Sequence, residues 1–244
     1  MGELYIPGFE SGDKPTLLPK KRKPLAKKSN PFKLNFDKLF HSELYGSLPT
    51  AGKTPLQVLE PITDIYPKRL VPFNVAYSEK DYDCTVHFYI HDKLFLRVLR
   101  NPEKYLPFFQ KCHSVIGSDL SQYADMSYEE RYLAAYINRA FTLYLQRNWV
   151  TVIPNVTWSL PDSYEYSFTG MPHYSVVAIN SNGVMKHDAS KYLWQKGYQT
   201  ACHTLHPSLI VRYGTVMPEE HSEISIYFEN ERLKYLKNGS SRKF

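Results

Sequence analysis

Residues 114–158 read SVIGSDLSQYADMSYEERYLAAYINRAFTLYLQRNWVTVIPNVTW, and the fold is decided there. Ser127 and Glu130 have the spacing of a capping box, which satisfies two free N–H groups at a helix start. From there to about residue 147, Leu133, Ile137, Phe141, Tyr144 and Leu145 fall on one helical face. On either side lie runs with strand composition, residues 114–119 (SVIGSD) and 150–158 (VTVIPNVTW). A strand, a long helix and a second strand in that order imply parallel pairing, because parallel neighbours need a long crossover.

The pattern repeats outward. Strands are expected at 70–76 (LVPFNVA), 175–180 (SVVAIN) and 209–213 (LIVRY), with 222–227 as an edge strand. A short helix is expected from Pro102 to Phe109, shortened by Pro107, another over 189–204 despite Gly197, and a last one at 228–238. The fold class is therefore α/β: a mainly parallel sheet with crossover helices, arranged as a partial or distorted β/α barrel or as an open doubly wound sheet. Both satisfy the same element order.

The 244 residues divide into three parts. Residues 1–34 hold eight Lys and Arg against three acidic residues, leaving 22 against 21 for the rest. With prolines at 15, 19, 24 and 31, this stretch reads as an extended, flexible basic arm in which Lys20, Lys21, Arg22, Lys23, Lys27 and Lys28 are candidate contacts to nucleic acid. Residues 35–66 read as an irregular wrapping segment and 67–244 as the α/β domain. No apolar run approaches the roughly 18 residues of a membrane span, the start lacks the pattern of a secretory signal, and three scattered cysteines describe no disulfide framework. A cytoplasmic location without membrane association is expected.

Reactive groups in parallel α/β folds collect at the carboxyl ends of the strands. Those ends carry Asn74, Asp119, Asn155 with Trp158, Asn180 with Ser181, and Tyr213 before Gly214. Asp119 is the one carboxylate among them, a candidate general base or metal ligand, with Asn155 and Asn180 orienting a substrate by hydrogen bonds; Ser181 and Arg139 complete the candidate catalytic set. The competing reading is that Asn, Asp and Ser hold turns at strand ends. No metal or cofactor is expected. His87 and His91 lie in a strand-like run, and Cys202, His203 and His206 fall at a helix end. Phosphate-cradling glycine loops and the nucleophile elbow are absent from the sequence.

The segment Val152-Ile153-Pro154-Asn155-Val156-Thr157-Trp158 is similar to a family of phage, plasmid and bacterial proteins catalogued as domain of unknown function 4417. Ser118-Asp119-Leu120-Ser121 with Asp125-Met126, Asn138-Arg139, Tyr144-x-Gln146, Ser167-Phe168-x-Gly170-x-Pro172, residues 175–181 and Tyr213-Gly214 extend the resemblance over about residues 65–218. The chain departs at Ser118 and Leu120, where the family pattern has proline and phenylalanine around the aspartate. The resemblance implies a phage or mobile-element setting and an α/β body, and no established activity. Arg139, beside Asn138 on the central helix, either points to the rim or pairs with a structural carboxylate.

Three functions compete on this reading. One is a phage or mobile-element accessory protein associated with DNA or RNA, in replication or counter-defence, through sequence-blind and salt-dependent contacts of the arm. Another is an enzyme acting on a nucleotide or phosphorylated ligand at the rim. The third is a protein that inhibits or recruits a host or phage protein through a surface rich in its 20 tyrosines.

Overall fold

The computed structural model describes residues 39, 41–45, 49–51, 56–184, 187–218 and 220–229. The basic arm, with Lys20, Lys21, Arg22, Lys23, Lys27 and Lys28, lies outside the described residues, as does 230–238 of the last expected helix.

After the short helix α1 (Ser42–Tyr45), β1 (Thr50–Ala51) pairs antiparallel with β2 (Leu56–Gln57). The body then alternates. β3 (Leu70–Pro72) leads to α2 (Phe73–Glu79), and β4 (Thr85–His87) to α3 (Leu96–Leu99) and α4 (Pro102–Phe109). β5 (Ser114–Ile116) is followed by α5 (Tyr128–Arg147), and β6 (Val152–Ile153) by α6 (Tyr164–Ser167). β7 (Val176–Asn180) precedes α7 (Asp188–Leu205), and β8 (Leu209–Tyr213) precedes β9 (Ser225–Phe228).

Every pairing from β3 onward is parallel, in the orders β3-β4-β5-β6 and β7-β8-β9. A parallel bridge between Asn155 and Ala178 connects the two sheets. Strand order thus follows chain order throughout. A doubly wound sheet reverses its order at a switch point, so this arrangement is a partial barrel. Among the described residues no pairing joins β3 to β9.

Two prolines set the strand lengths. Pro72 ends β3 because it has no N–H for a further ladder bond, and the chain turns into α2, burying Phe73 and Ala76 one turn apart. The expected strand 70–76 is therefore half strand, half helix. Pro154 likewise divides the expected strand 150–158. Before it the chain pairs with β5; after it the Val156 N–H donates to the Ala178 carbonyl at 2.9 Å, and Ala178 N–H returns to Pro154 O at 2.8 Å. The proline is thus the corner between the sheets.

Side-chain alternation along the strands separates two apolar layers. Ile116, Ile153, Ala178, Val211 and Tyr213 form one inner cluster with Leu70 and Tyr89. Tyr89 stacks on Tyr213 across this interior, with ring centroids 5.0 Å apart. Val177, Ile179 and Ile210 point the other way, onto Trp194, Tyr198, Ala201 and Leu205 of α7. Gly197 is required there, since a Cβ would run into the Trp158 indole. The box formed by Ser127 and Glu130 caps α5 as the sequence predicts. β4 begins two residues before the strand-like run from His87 to His91, and β9 occupies the expected edge as a parallel strand.

Candidate functional site

Gly117 continues β5 toward the rim. A Cβ at this position would stand 2.7 Å from Thr142 Oγ1 and 3.3 Å from the Asn155 N, so only glycine lets β5 run this close to α5 and to the segment after β6. The next three residues are clamped by Asn138 on α5. Its Oδ1 accepts from Ser118 Oγ at 2.9 Å and from Leu120 N–H at 2.8 Å, while its Nδ2 donates to Leu120 O at 3.0 Å. Asp119 sits between these anchors and is projected over the strand ends.

Its carboxyl meets two carboxamides. Asn155 Nδ2 donates to Oδ1 at 3.1 Å and Asn180 Nδ2 to Oδ2 at 3.2 Å. Asn155 is itself oriented by the Tyr89 hydroxyl, which donates to its Oδ1 at 2.9 Å, and Asn180 by Asn182 N–H at 3.1 Å. Protein surrounds the carboxyl closely, although Asp119 keeps a partly open face. Burial, with the Asp92 carboxylate adding repulsion, outweighs the two amide bonds and pushes the Asp119 pKa up to about 7. The group is therefore poised to exchange a proton near neutrality.

A cleft of about 320 Å³ opens beside it, with Gln122, Thr157, Trp158, Asn182 and Trp194 among its walls. Volumes of this order are the lower end of small-ligand pockets. Behind the carboxyl, Asp92 accepts the Ser121 hydroxyl at 3.0 Å, and burial raises its pKa as well.

The other expected residues have different places. Ser181 donates its hydroxyl to Thr215 O at 2.8 Å and packs where Gly214 leaves room, so it braces the ends of β7 and β8. Arg139 corrects the expectation of a rim group or a carboxylate partner. It is buried and donates to the carbonyls of Gln57, Tyr166, Ser167 and Thr169 at 2.8–3.4 Å, tying β2 and the C-terminal end of α6 to α5. With no carboxylate partner among the described residues, its pKa is drawn down by burial to about 10. Asn74 lies within α2. His87 is buried in the barrel interior, its pKa lowered to about 3, whereas His91 caps the turn Asp92–Leu94. Tyr89, Asp92, Gln122 and Asn182 escaped the sequence reading. Tyr89 was within reach, because it follows β4 as Asp119 follows β5, but β4 was not recognised where it lies.

A family model described as domain of unknown function (DUF4417) matches residues 55–231. The chain belongs to this DUF4417 family. The match bears out the resemblance seen over residues 65–218 and extends it at both ends. The chain is 29% identical to the gene 1 protein of Mycobacterium phage D29 over 161 residues, covering 63% of this chain and 60% of that protein. It is 27% identical to the gene 1 protein of Mycobacterium phage L5 over 156 residues, 62% of this chain and 68% of that one. These relatives support a phage link. No solved structure matches the chain. Among the described residues no helix is long and apolar enough to cross a membrane.

Proposed function

We propose that this DUF4417 chain is a phage accessory protein whose rim cleft binds a small polar ligand, with Asp119 as its proton-exchanging group. One observation carries the reading: the Asp119 carboxyl is held between Asn155 and Asn180 and opens on the cleft. A residue that served only its own turn would bond neighbouring backbone groups; this carboxyl instead bonds side chains from two other strand ends. Asn155 and Asn180 orient the carboxyl, and Asn138 fixes the loop that carries it. A thermal-shift screen of small polar metabolites against the parent and Asp119→Asn is expected to return a compound that stabilises the parent alone. If every stabilising compound acts equally on both proteins, the reading fails.

A second reading is supported by the distribution of charge. Five of the six net positive charges belong to residues 1–34, a bias that favours sequence-blind association of the arm with DNA or RNA. Removing residues 1–34 should flatten the salt dependence of binding to random-sequence DNA or RNA. Equal slopes and affinities for the intact and truncated chains would exclude a role for the arm.

A further inference from the structure

The cleft's own chemistry narrows the ligand, and the inference drawn here rests on the ligand-binding reading of that cleft. Each Asp119 oxygen takes one side-chain hydrogen bond, from Asn155 or from Asn180. A carboxylate offers about four acceptor positions, so both oxygens keep acceptor capacity. Gln122, on the cleft wall, donates its Nε2 to Thr157 Oγ1 at 2.8 Å, and its Oε1 is buried without a partner. A buried acceptor left unpaired is destabilising, and a donor on a ligand would relieve it. No Lys, Arg or His is among the described residues that line the cleft. Among the described residues the ionisable groups facing Asp119 are Asp92, from the turn after β4, and Tyr89, and neither is a cation. A phosphate here would meet the Asp119 carboxyl, with the Asp92 carboxyl near it, and no compensating charge among the described lining residues.

We propose that the cleft recognises two adjacent N–H donors, the edge presented by a guanidine or by the aminopyrimidine ring of guanine, seated on the Asp119 carboxyl. A planar pair of N–H groups matches the two carboxylate oxygens and forms parallel charge-assisted hydrogen bonds. A rotation of the Gln122 amide would present its buried, partnerless oxygen to the ligand as a further acceptor. This edge can come from a guanine nucleoside or from an arginine-like molecule, and both are tested as probes.

Calorimetric titration of the full chain with guanosine, inosine, guanosine monophosphate, arginine amide and lysine amide separates the cases. Inosine lacks the second N–H group of guanosine, and lysine amide keeps a positive charge without the fork. Guanosine is expected to bind at least about tenfold tighter than inosine, or arginine amide than lysine amide, the order of magnitude of one charge-assisted bond. The 5′-phosphate should give no gain. Affinity for the preferred probe should rise about tenfold from pH 6 to pH 8, as Asp119 ionises. Asp119→Asn should abolish both the preference and this rise, which separates Asp119 from Asp92. Gln122→Leu, on the cleft wall, should weaken binding in a chain that melts as the parent does.

Equal binding within both pairs, tighter binding of the monophosphate, or no binding of any probe would overturn the proposal. A screened compound of another class that depends on Asp119 would then leave the rim reading standing. Absence of any Asp119-dependent compound would remove that reading too.

Discussion

Asp119 shows how much of this site a single residue carries. Its pKa is raised from 3.8 to about 7 in the folded chain, so the folded state holds the proton more tightly than the unfolded state between these values. Stability contributed at low pH is lost as pH climbs from about 4 to about 7. Asp119→Asn cannot ionise, and the melting temperature of the variant minus that of the parent should therefore rise between pH 5 and pH 8. A difference that is flat with pH would show that Asp119 is not desolvated. At Gly197 the helix gains about 1 kcal/mol in propensity from alanine, but the new methyl runs into the Trp158 indole. Overpacking of this kind costs about 1–3 kcal/mol, so Gly197→Ala should lower the melting temperature. An unchanged or raised melt would mean that Trp158 can move aside. Asp119 and Asn155 were legible in the sequence because each follows a recognisable strand. Arg139 was not, since its partners are carbonyls of segments distant in the chain, and nothing in its own helix signals them.

Among the elements, those with strong local signals were the readable ones. α5 carries its own cap and a continuous apolar face, and β8 falls at the expected residues. The expected strands over 70–76 and 150–158 fared worse. Alternating apolar residues extended both past Pro72 and Pro154, where the missing N–H ends the ladder in fact. β8 also depends on a feature outside itself. Arg212, buried with its partner, donates to both Glu220 oxygens at 2.6 Å and to Ile179 O at 2.8 Å, with its guanidinium 4.7 Å from the Trp194 ring centre. Glu220→Gln keeps the shape and removes the charge. It should cost about 3–5 kcal/mol, because an unpaired guanidinium remains buried against α7. Chemical denaturation measures this directly; a loss below about 1 kcal/mol would show that the carbonyls and the indole suffice to hold Arg212.

For residues 36–244 as one unit, the decisive property is strand order. Local periodicity could not separate a barrel from a doubly wound sheet, because the choice depends on which strands become neighbours. The observed sequential order curves two sheets around the inner cluster of Ile116, Ile153, Ala178 and Tyr213. It brings the ends of β5, β6 and β7 to one mouth, where Asp119, Asn155 and Asn180 meet. The account therefore makes a claim about the whole arrangement: three separate strand ends create a buried, proton-exchanging carboxyl. The most direct test follows the Asp119 side-chain carboxyl carbon by NMR across pH 3–9 in the full chain, with Asp119→Asn identifying its resonance. The account predicts a midpoint near 7, and a midpoint near the ordinary 3.8 would contradict it.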